Sequence, residues 1–248
     1  MAPIDAEKYS NIVQKIESIV KEHCEHLDSA HDWDHVKRVR QLALRLYRDT
    51  CSNGYLEEEL QMVELIALLH DVGDFKFGFD QEKILDEILT PLVDEATKQH
   101  IKNEVSLISW RKSLKSEKDK ENHPETVESK LQLHDFVSDA DRLDAMGNIG
   151  IARCFSYGGS RHSKLYDLSV DPDLNLTKES YNAQTEILQD GKVLASKSKN
   201  NSLNHFYEKL FKLKDSLKTD KGKEMGIKRH ERLQCFVKEF LEEVNCES

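Results

Sequence analysis

The stretch LIALLHDVGDFK, residues 65–76, joins an apolar helix segment to side chains that could do chemistry. The apolar run ends directly at His70 and Asp71. An imidazole nitrogen and a carboxylate oxygen beside apolar surface need partners, and a metal ion suits both at once. Asp74 and Lys76 follow within one further turn, so a second carboxylate and an ammonium could share the same small volume. The alternative is a helix C-terminus with a capping histidine and solvated acids.

A second group of candidates lies in the segment HDWDHVKRV. His31 and His35 are four residues apart, so both can lie on one helical face, and Arg38 is three residues beyond on the same side. This spacing is suggestive of a binding site. The alternative is one capping histidine and one surface histidine.

The segment DADRLDAMGNIGIAR, residues 139–153, carries a third group. Asp141 lies there beside the apolar face of a predicted helix. Its carboxylate is therefore either paired with Arg142 or Arg153, or it is a metal ligand. Asp144 comes three residues later and shares the same side of the helix.

Composition narrows the classes of partner. Charged residues make up 33% of the 248, and the formal net charge is −10. An acidic surface argues against stable binding to nucleic acid or to an anionic membrane, although a metal can draw a phosphate into an acidic cleft. The five cysteines are scattered and lack CxxC spacing, which indicates a reduced, cytoplasmic protein. No window approaches the roughly 18 apolar residues of a membrane span.

Apolar residues at helical spacing predict an all-α fold that positions these groups. Residues 111–125 are predicted as a solvated loop and 157–176 as an irregular connection. The predicted helices cover about 12–27, 32–50 and 56–71, a short helix that Asp80 caps and Pro91 interrupts, 94–110, a helix that resumes at 127 and reaches the 139–153 segment, 202–217 and 221–244.

Three segments in this order, AHDWDHVKRV, HDVGD and DADRLDAMGNIGIAR, give the pattern H…HD…D. The chain resembles the HD-domain metal-dependent phosphohydrolases, in their YpgQ-like and YedJ-like branch. The resemblance continues into NSLNHFYEKLFKL and TDKGKEMGIKRHERL and covers most of residues 28–240. Ala30 and Asn148 are its visible departures, and neither affects an expected ligand.

The resemblance implies a single HD-domain helical fold over residues 1–248, with a core at about 28–157 and a C-terminal helical extension at about 177–245 packed on it. The extension would form a lid or mediate a homodimer. One divalent ion would be held by His35, His70, Asp71 and Asp141. Mixed nitrogen and oxygen donors favour Mn²⁺, with Mg²⁺, Co²⁺, Fe²⁺ or Ni²⁺ as alternatives.

The supporting residues take expected roles around that ion. Asp74 would accept a proton from water or orient it, while Lys76 and His31 would offset charge on the phosphoryl oxygens. We expect Arg38, Arg142 and Asp144 to contact the substrate, with Arg142 also offsetting phosphoryl charge. These assignments depend on the resemblance.

The resemblance favours cleavage of nucleoside triphosphates, or their deoxy forms, to a monophosphate and pyrophosphate. Spacing and composition do not separate this activity from that of a nucleotidase. A second alternative is a two-metal HD phosphodiesterase or oxygenase, in which His100 and His123 would supply additional ligands. A third is a non-catalytic HD module that binds a nucleotide.

Overall fold

The structure, a computed structural model, describes residues 3–25, 27–28, 30–51, 54–73, 80–108, 130–174 and 201–246. Within these ranges helices are the only regular secondary structure, which confirms the predicted all-α fold. No helix in them is long and apolar enough to cross a membrane. The elements are α1 (Ala6–Cys24), α2 (Trp33–Thr50), α3 (Glu57–Leu69), α4 (Gln81–Leu89), α5 (Glu95–Leu107), α6 (Leu133–Asp144), α7 (Gly147–Ser160), α8 (Ser202–Glu208), a 3-10 helix (Leu210–Ser216) and α9 (Asp220–Asn245).

Aspartates fix where several helices begin. Asp32 is the N-cap of α2, and its Oδ1 accepts a hydrogen bond from the backbone N–H of His35 at 2.8 Å. Asp80 caps α4 in the same way through the N–H of Lys83, as the sequence predicts. An N-cap carboxylate satisfies an N–H that has no partner within the helix. As a consequence, His35 lies in the first turn of α2.

Helix α3 is the centre of the core. Every residue from Leu65 to Leu69 is fully buried, because α1, α2, α5 and α6 pack around this helix. Helix α2 packs against both α3 and α6. This arrangement brings together the start of α2, the end of α3 and the C-terminal half of α6.

The C-terminal helices are attached directly to α6. Asp139 is fully buried, and its carboxylate accepts hydrogen bonds from the N–H groups of Lys218 and Thr219 and from the Thr219 hydroxyl at 2.8–3.1 Å. Thr219 is in turn the N-cap of α9. Arg142 donates to the carbonyl of Ser216 at 2.8 Å. Through Asp139 and Arg142, the segment before α9 is therefore bonded to α6, the helix that also carries Asp141.

Three predicted boundaries are wrong. The predicted helix 202–217 is an α-helix followed by a 3-10 helix, because Lys209 (φ −133°, ψ −58°) interrupts the α-helical path. Gly147 (φ +65°) separates α6 from α7, which continues to Ser160 where the sequence predicts irregular chain. Helix α6 begins at Leu133, since Gln132 and Asp135 form a capping box there. Residues 109–129 and 175–200 lie outside the described residues.

Candidate metal centre

Two buried imidazoles lie at the meeting point of α2 and α3. His35 and His70 are 0% and 5% exposed, and their ring centroids are 5.3 Å apart. His70 Nδ1 lies 2.8 Å from the carbonyl oxygen of Ala67, one turn earlier in α3. His35 Nδ1 lies 2.8 Å from Oδ2 of Asp144, on α6. A carbonyl accepts only, as does an ionised carboxylate, so each Nδ1 carries a proton, and in the neutral form of each ring Nε2 presents a lone pair.

Both of these Nε2 atoms are buried without a hydrogen-bond partner. They face acidic groups instead: Asp71 Oδ2 lies 3.4 Å from Nε2 of His35 and 3.7 Å from Nε2 of His70. Asp141 Oδ1 lies 3.6 Å from Nε2 of His35. Donor atoms of His35, His70 and Asp71 all lie within 4.8 Å of one another. In the neutral form of both rings, two such nitrogens facing carboxylate oxygens fit a divalent cation, which would satisfy all of them.

The fourth candidate ligand, Asp141, lies on the open side of this cluster, since 36% of its side chain is exposed. Burial acts to raise the pKa of its carboxyl, but the positive charge that the imidazoles of His35 and His70 carry when protonated lowers that pKa below its usual value. The carboxylate therefore stays ionised, and it is accessible to a cation from the solvent side.

A group of charges surrounds Asp144 behind His35. Arg38 donates from Nε to Oδ1 at 2.8 Å and from Nη2 to Oδ2 at 3.1 Å, and Arg153 donates from Nη1 to Oδ2 at 3.1 Å. Burial acts to raise the pKa of Asp144, but hydrogen bonds from His35 and Arg38 lower it far below its usual range. Arg153 also donates to the carbonyl of Ala30, which ties α7 to the segment before α2.

His31 lies before α2 rather than on a helical face with His35, because the helix begins only after the Asp32 cap. Its ring still makes edge-on contacts with the rings of His35 and Tyr157, at centroid distances of 6.4 Å and 5.7 Å. His31 Nδ1 is 2.9 Å from Asp28 Oδ1, which also accepts from the N–H of Ala30. Sequence reasoning did not identify Asp28, although an aspartate that accepts from the N–H two residues later has the spacing of an Asx turn.

Not every residue predicted to contact substrate lies at the cluster. The guanidinium of Arg142 is 5% exposed and donates to Ser216, on the side of α6 that carries Asp139. Arg142 therefore takes part in the attachment of the C-terminal helices, and its contact with the substrate stays a prediction. Asp74 and Lys76 lie outside the described residues.

Of the two histidines of the two-metal alternative, the structure describes only His100, which is not at the cluster. His100 lines a separate cavity of about 510 Å³ together with Tyr47 and Phe136, and none of the four candidate ligands lines that cavity. His123 lies outside the described residues. Among the described residues, the group of His35, His70 and Asp71 is the only one with spacing suited to a metal.

The comparisons with known proteins agree with this geometry. The HD domain family model matches residues 32–146. A protein of Acanthamoeba polyphaga mimivirus is 32% identical over 202 residues, covering 75% of this chain and 76% of its own. YpgQ of Bacillus subtilis is 29% identical over 217 residues, covering 87% and 85%.

Solved structures show the same fold over nearly the whole chain. A protein from Lactobacillus plantarum has a TM-score of 0.73 at 30% identity, covering 95% of this chain and 98% of its own. An HD-superfamily hydrolase from Bacillus thuringiensis has a TM-score of 0.62 at 29% identity, with 96% and 98% covered. Bacillus subtilis YpgQ, solved in complex with ADP, has a TM-score of 0.61 at 23% identity, with 95% and 96% covered.

A cluster of two histidines and two aspartates that is open to solvent on one side is typical of a metal-dependent hydrolase. The chain belongs to the HD-domain superfamily of metal-dependent phosphohydrolases and is homologous to YpgQ.

Proposed function

We propose that the protein is a divalent-metal-dependent nucleoside triphosphate pyrophosphohydrolase. It would convert a ribo- or deoxynucleoside triphosphate and water to the monophosphate and pyrophosphate. The observation that carries the metal-dependent part is the pair of buried Nε2 atoms, on His35 and His70, that have no hydrogen-bond partner and face Asp71 and Asp141. The nucleotide part is supported by the homologue YpgQ, whose structure was solved in complex with ADP.

Four side chains would hold the ion: His35, His70, Asp71 and Asp141. When bound there, Mn²⁺ would supply a Lewis acid that polarises a phosphoryl oxygen and makes water more acidic. We propose Mn²⁺ because the donor set is mixed nitrogen and oxygen, with Mg²⁺, Co²⁺, Fe²⁺ and Ni²⁺ as the ions to compare.

The surrounding residues would accept a proton from water and offset the charge on the phosphoryl oxygens. Asp74, three residues after Asp71, would accept the proton of the attacking water. His31 and Lys76 would offset the negative charge that develops on the phosphoryl oxygens. Nδ1 of His31 lies 2.9 Å from Oδ1 of Asp28, a contact that fixes the orientation of this ring. Attack at the α-phosphorus would then break its bond to the bridging oxygen and release pyrophosphate.

The charge of the chain favours a small substrate. A formal net charge of −10 repels the extended phosphate backbone of a nucleic acid, whereas a metal ion attracts a single triphosphate group locally. We therefore propose free nucleotides rather than nucleic acid as substrates.

The test is a product analysis by ³¹P NMR. Metal-stripped protein is incubated with Mn²⁺ and a panel of ribo- and deoxynucleoside triphosphates, with His70→Ala as the inactive control. The proposal predicts equal amounts of monophosphate and pyrophosphate from the unmodified chain and neither product from the variant. Orthophosphate as the only released product, or no product when Mn²⁺ and then each of the four other ions is supplied in turn, would contradict it.

A further inference from the structure

We propose that Asp144 is a positioning residue of the metal centre: clamped by Arg38 and Arg153, it fixes the orientation and tautomer of His35 so that Nε2 faces the ion. This assignment replaces the substrate-contact role that the sequence suggests for Asp144 and Arg38. It rests on the metal centre of the proposed function but not on the identity of the substrate.

The hydrogen bonds around Asp144 occupy both of its carboxylate oxygens. Its side chain is 5% exposed, and four hydrogen bonds engage its two oxygens. Oδ2 alone meets His35, Arg38 and Arg153. A buried carboxylate whose oxygens are occupied cannot also bind a substrate hydroxyl, and its charge would repel a phosphate.

The two histidines are fixed by different devices. His70 donates to the carbonyl of Ala67, one turn earlier, so the formation of α3 is sufficient to orient this ring. His35 depends on Asp144, which is 109 residues away in sequence and lies on another helix. A histidine that ligates a metal commonly donates its other N–H to a carboxylate, which sets the ring orientation and raises the basicity of the ligating nitrogen. The packing of α2 against α6 therefore completes this ligand.

The two arginines explain why the carboxylate can be buried there. An unpaired buried carboxylate is costly and would itself tend to seek a nearby cation. Arg38 and Arg153 supply two positive charges from α2 and α7, and both pair with the carboxylate of Asp144. They hold the carboxylate against Nδ1 of His35 and keep it out of the ligand set.

The experiment compares two buried carboxylates of one helix. Asp144→Asn removes the charge beside His35, whereas Asp139→Asn is the matched control, because Asp139 bonds to Lys218 and Thr219 and not to a ligand. Mn²⁺ affinity is measured by calorimetric titration without nucleotide, and the His35 tautomer by ¹⁵N NMR of the metal-free protein. We expect Asp144→Asn to weaken Mn²⁺ binding about 10- to 100-fold and to disturb the Nδ1–H tautomer. Asp139→Asn should lower the melting temperature and leave both readouts unchanged.

Folded Asp144→Asn protein with unchanged Mn²⁺ affinity and tautomer would overturn the assignment. Equal losses of affinity in both variants would overturn it as well, because a general loss of structure would then explain them. If Asp144→Asn does not fold, the Mn²⁺ affinity of Arg38→Met is measured instead. The side chain of Arg38 is 35% exposed, and its substitution removes two of the hydrogen bonds to Asp144. A several-fold loss of affinity would support the assignment, and an unchanged affinity would overturn it. Because the titration contains no nucleotide, these results are independent of whether the proposed activity is found.

Discussion

The substitution Thr219→Val tests how the C-terminal helices are attached to the helix that carries Asp141. Thr219 is fully buried, and its hydroxyl makes two hydrogen bonds. It donates to Asp139 Oδ2 at 2.8 Å and accepts from the N–H of Gly222 at 3.0 Å, which is the N-cap bond of α9. Valine has nearly the same shape, so the substitution removes these bonds while leaving almost no cavity.

The expected cost follows from these two bonds. A hydrogen bond to a buried charged acceptor contributes about 1.5–3 kcal/mol, and loss of an N-cap side chain costs about 0.5–2 kcal/mol. Since one hydroxyl makes both bonds, the two losses are not fully additive. We expect the free energy of unfolding to fall by about 2–4 kcal/mol. For a chain of this size that corresponds to a melting temperature about 4–16 °C lower.

Urea unfolding followed by circular dichroism measures this change. The matched control is Thr90→Val, because Thr90 is exposed and its hydroxyl bonds only to the ammonium of Lys98, at 3.1 Å. The control should change the free energy of unfolding by less than about 0.5 kcal/mol. A similarly small change for Thr219→Val would refute the reasoning that this buried contact attaches α9 to α6.

Three further substitutions separate the roles of the site residues. Asp71→Ala should abolish Mn²⁺ binding and turnover together, and a variant that keeps one tightly bound ion with normal turnover would contradict the ligand assignment. Asp74→Ala should keep the ion while turnover falls about 10²- to 10⁴-fold; loss of the ion instead would make Asp74 a ligand. Arg142→Met should lower the melting temperature, because its bond to Ser216 is lost. A raised KM at unchanged stability would instead assign Arg142 to the substrate site alone.

The sequence predicts the helices well where local signals are strong. The cap at Asp80 and the apolar run 65–69 identify the start and the burial of their helices, because capping and periodicity are local properties. The breaks at Lys209 and Gly147 are not predicted from the sequence. A Cβ at Gly147 would lie 3.1 Å from the side chain of Arg229, so this position depends on the packing of α9. Gly158 shows the same dependence: a Cβ there would lie 2.2 Å from the Ser202 hydroxyl, so this glycine permits close helix contact rather than ending α7.

The same distinction between local sequence signals and long-range contacts applies to the candidate metal centre. The order of histidines and aspartates nominates residues that the structure brings together, but it does not reveal which nitrogen of His35 is held or by what. That information lies in a contact between residues 35 and 144, which no local pattern encodes. The side of α6 on which Arg142 lies could have been predicted from the sequence. Arg142 is one residue from Asp141, a rotation of about 100° around the helix, and three from Asp139, so it shares the side of Asp139.

The number of Mn²⁺ ions bound per chain tests the metal centre most directly. Metal-stripped protein and its His70→Ala variant are dialysed against the same free Mn²⁺ concentration, and the bound metal is measured by mass spectrometry. We predict one ion per chain for the unmodified protein and none for the variant. Two ions per chain, or one ion retained by the variant, would contradict a single centre built on His35, His70, Asp71 and Asp141.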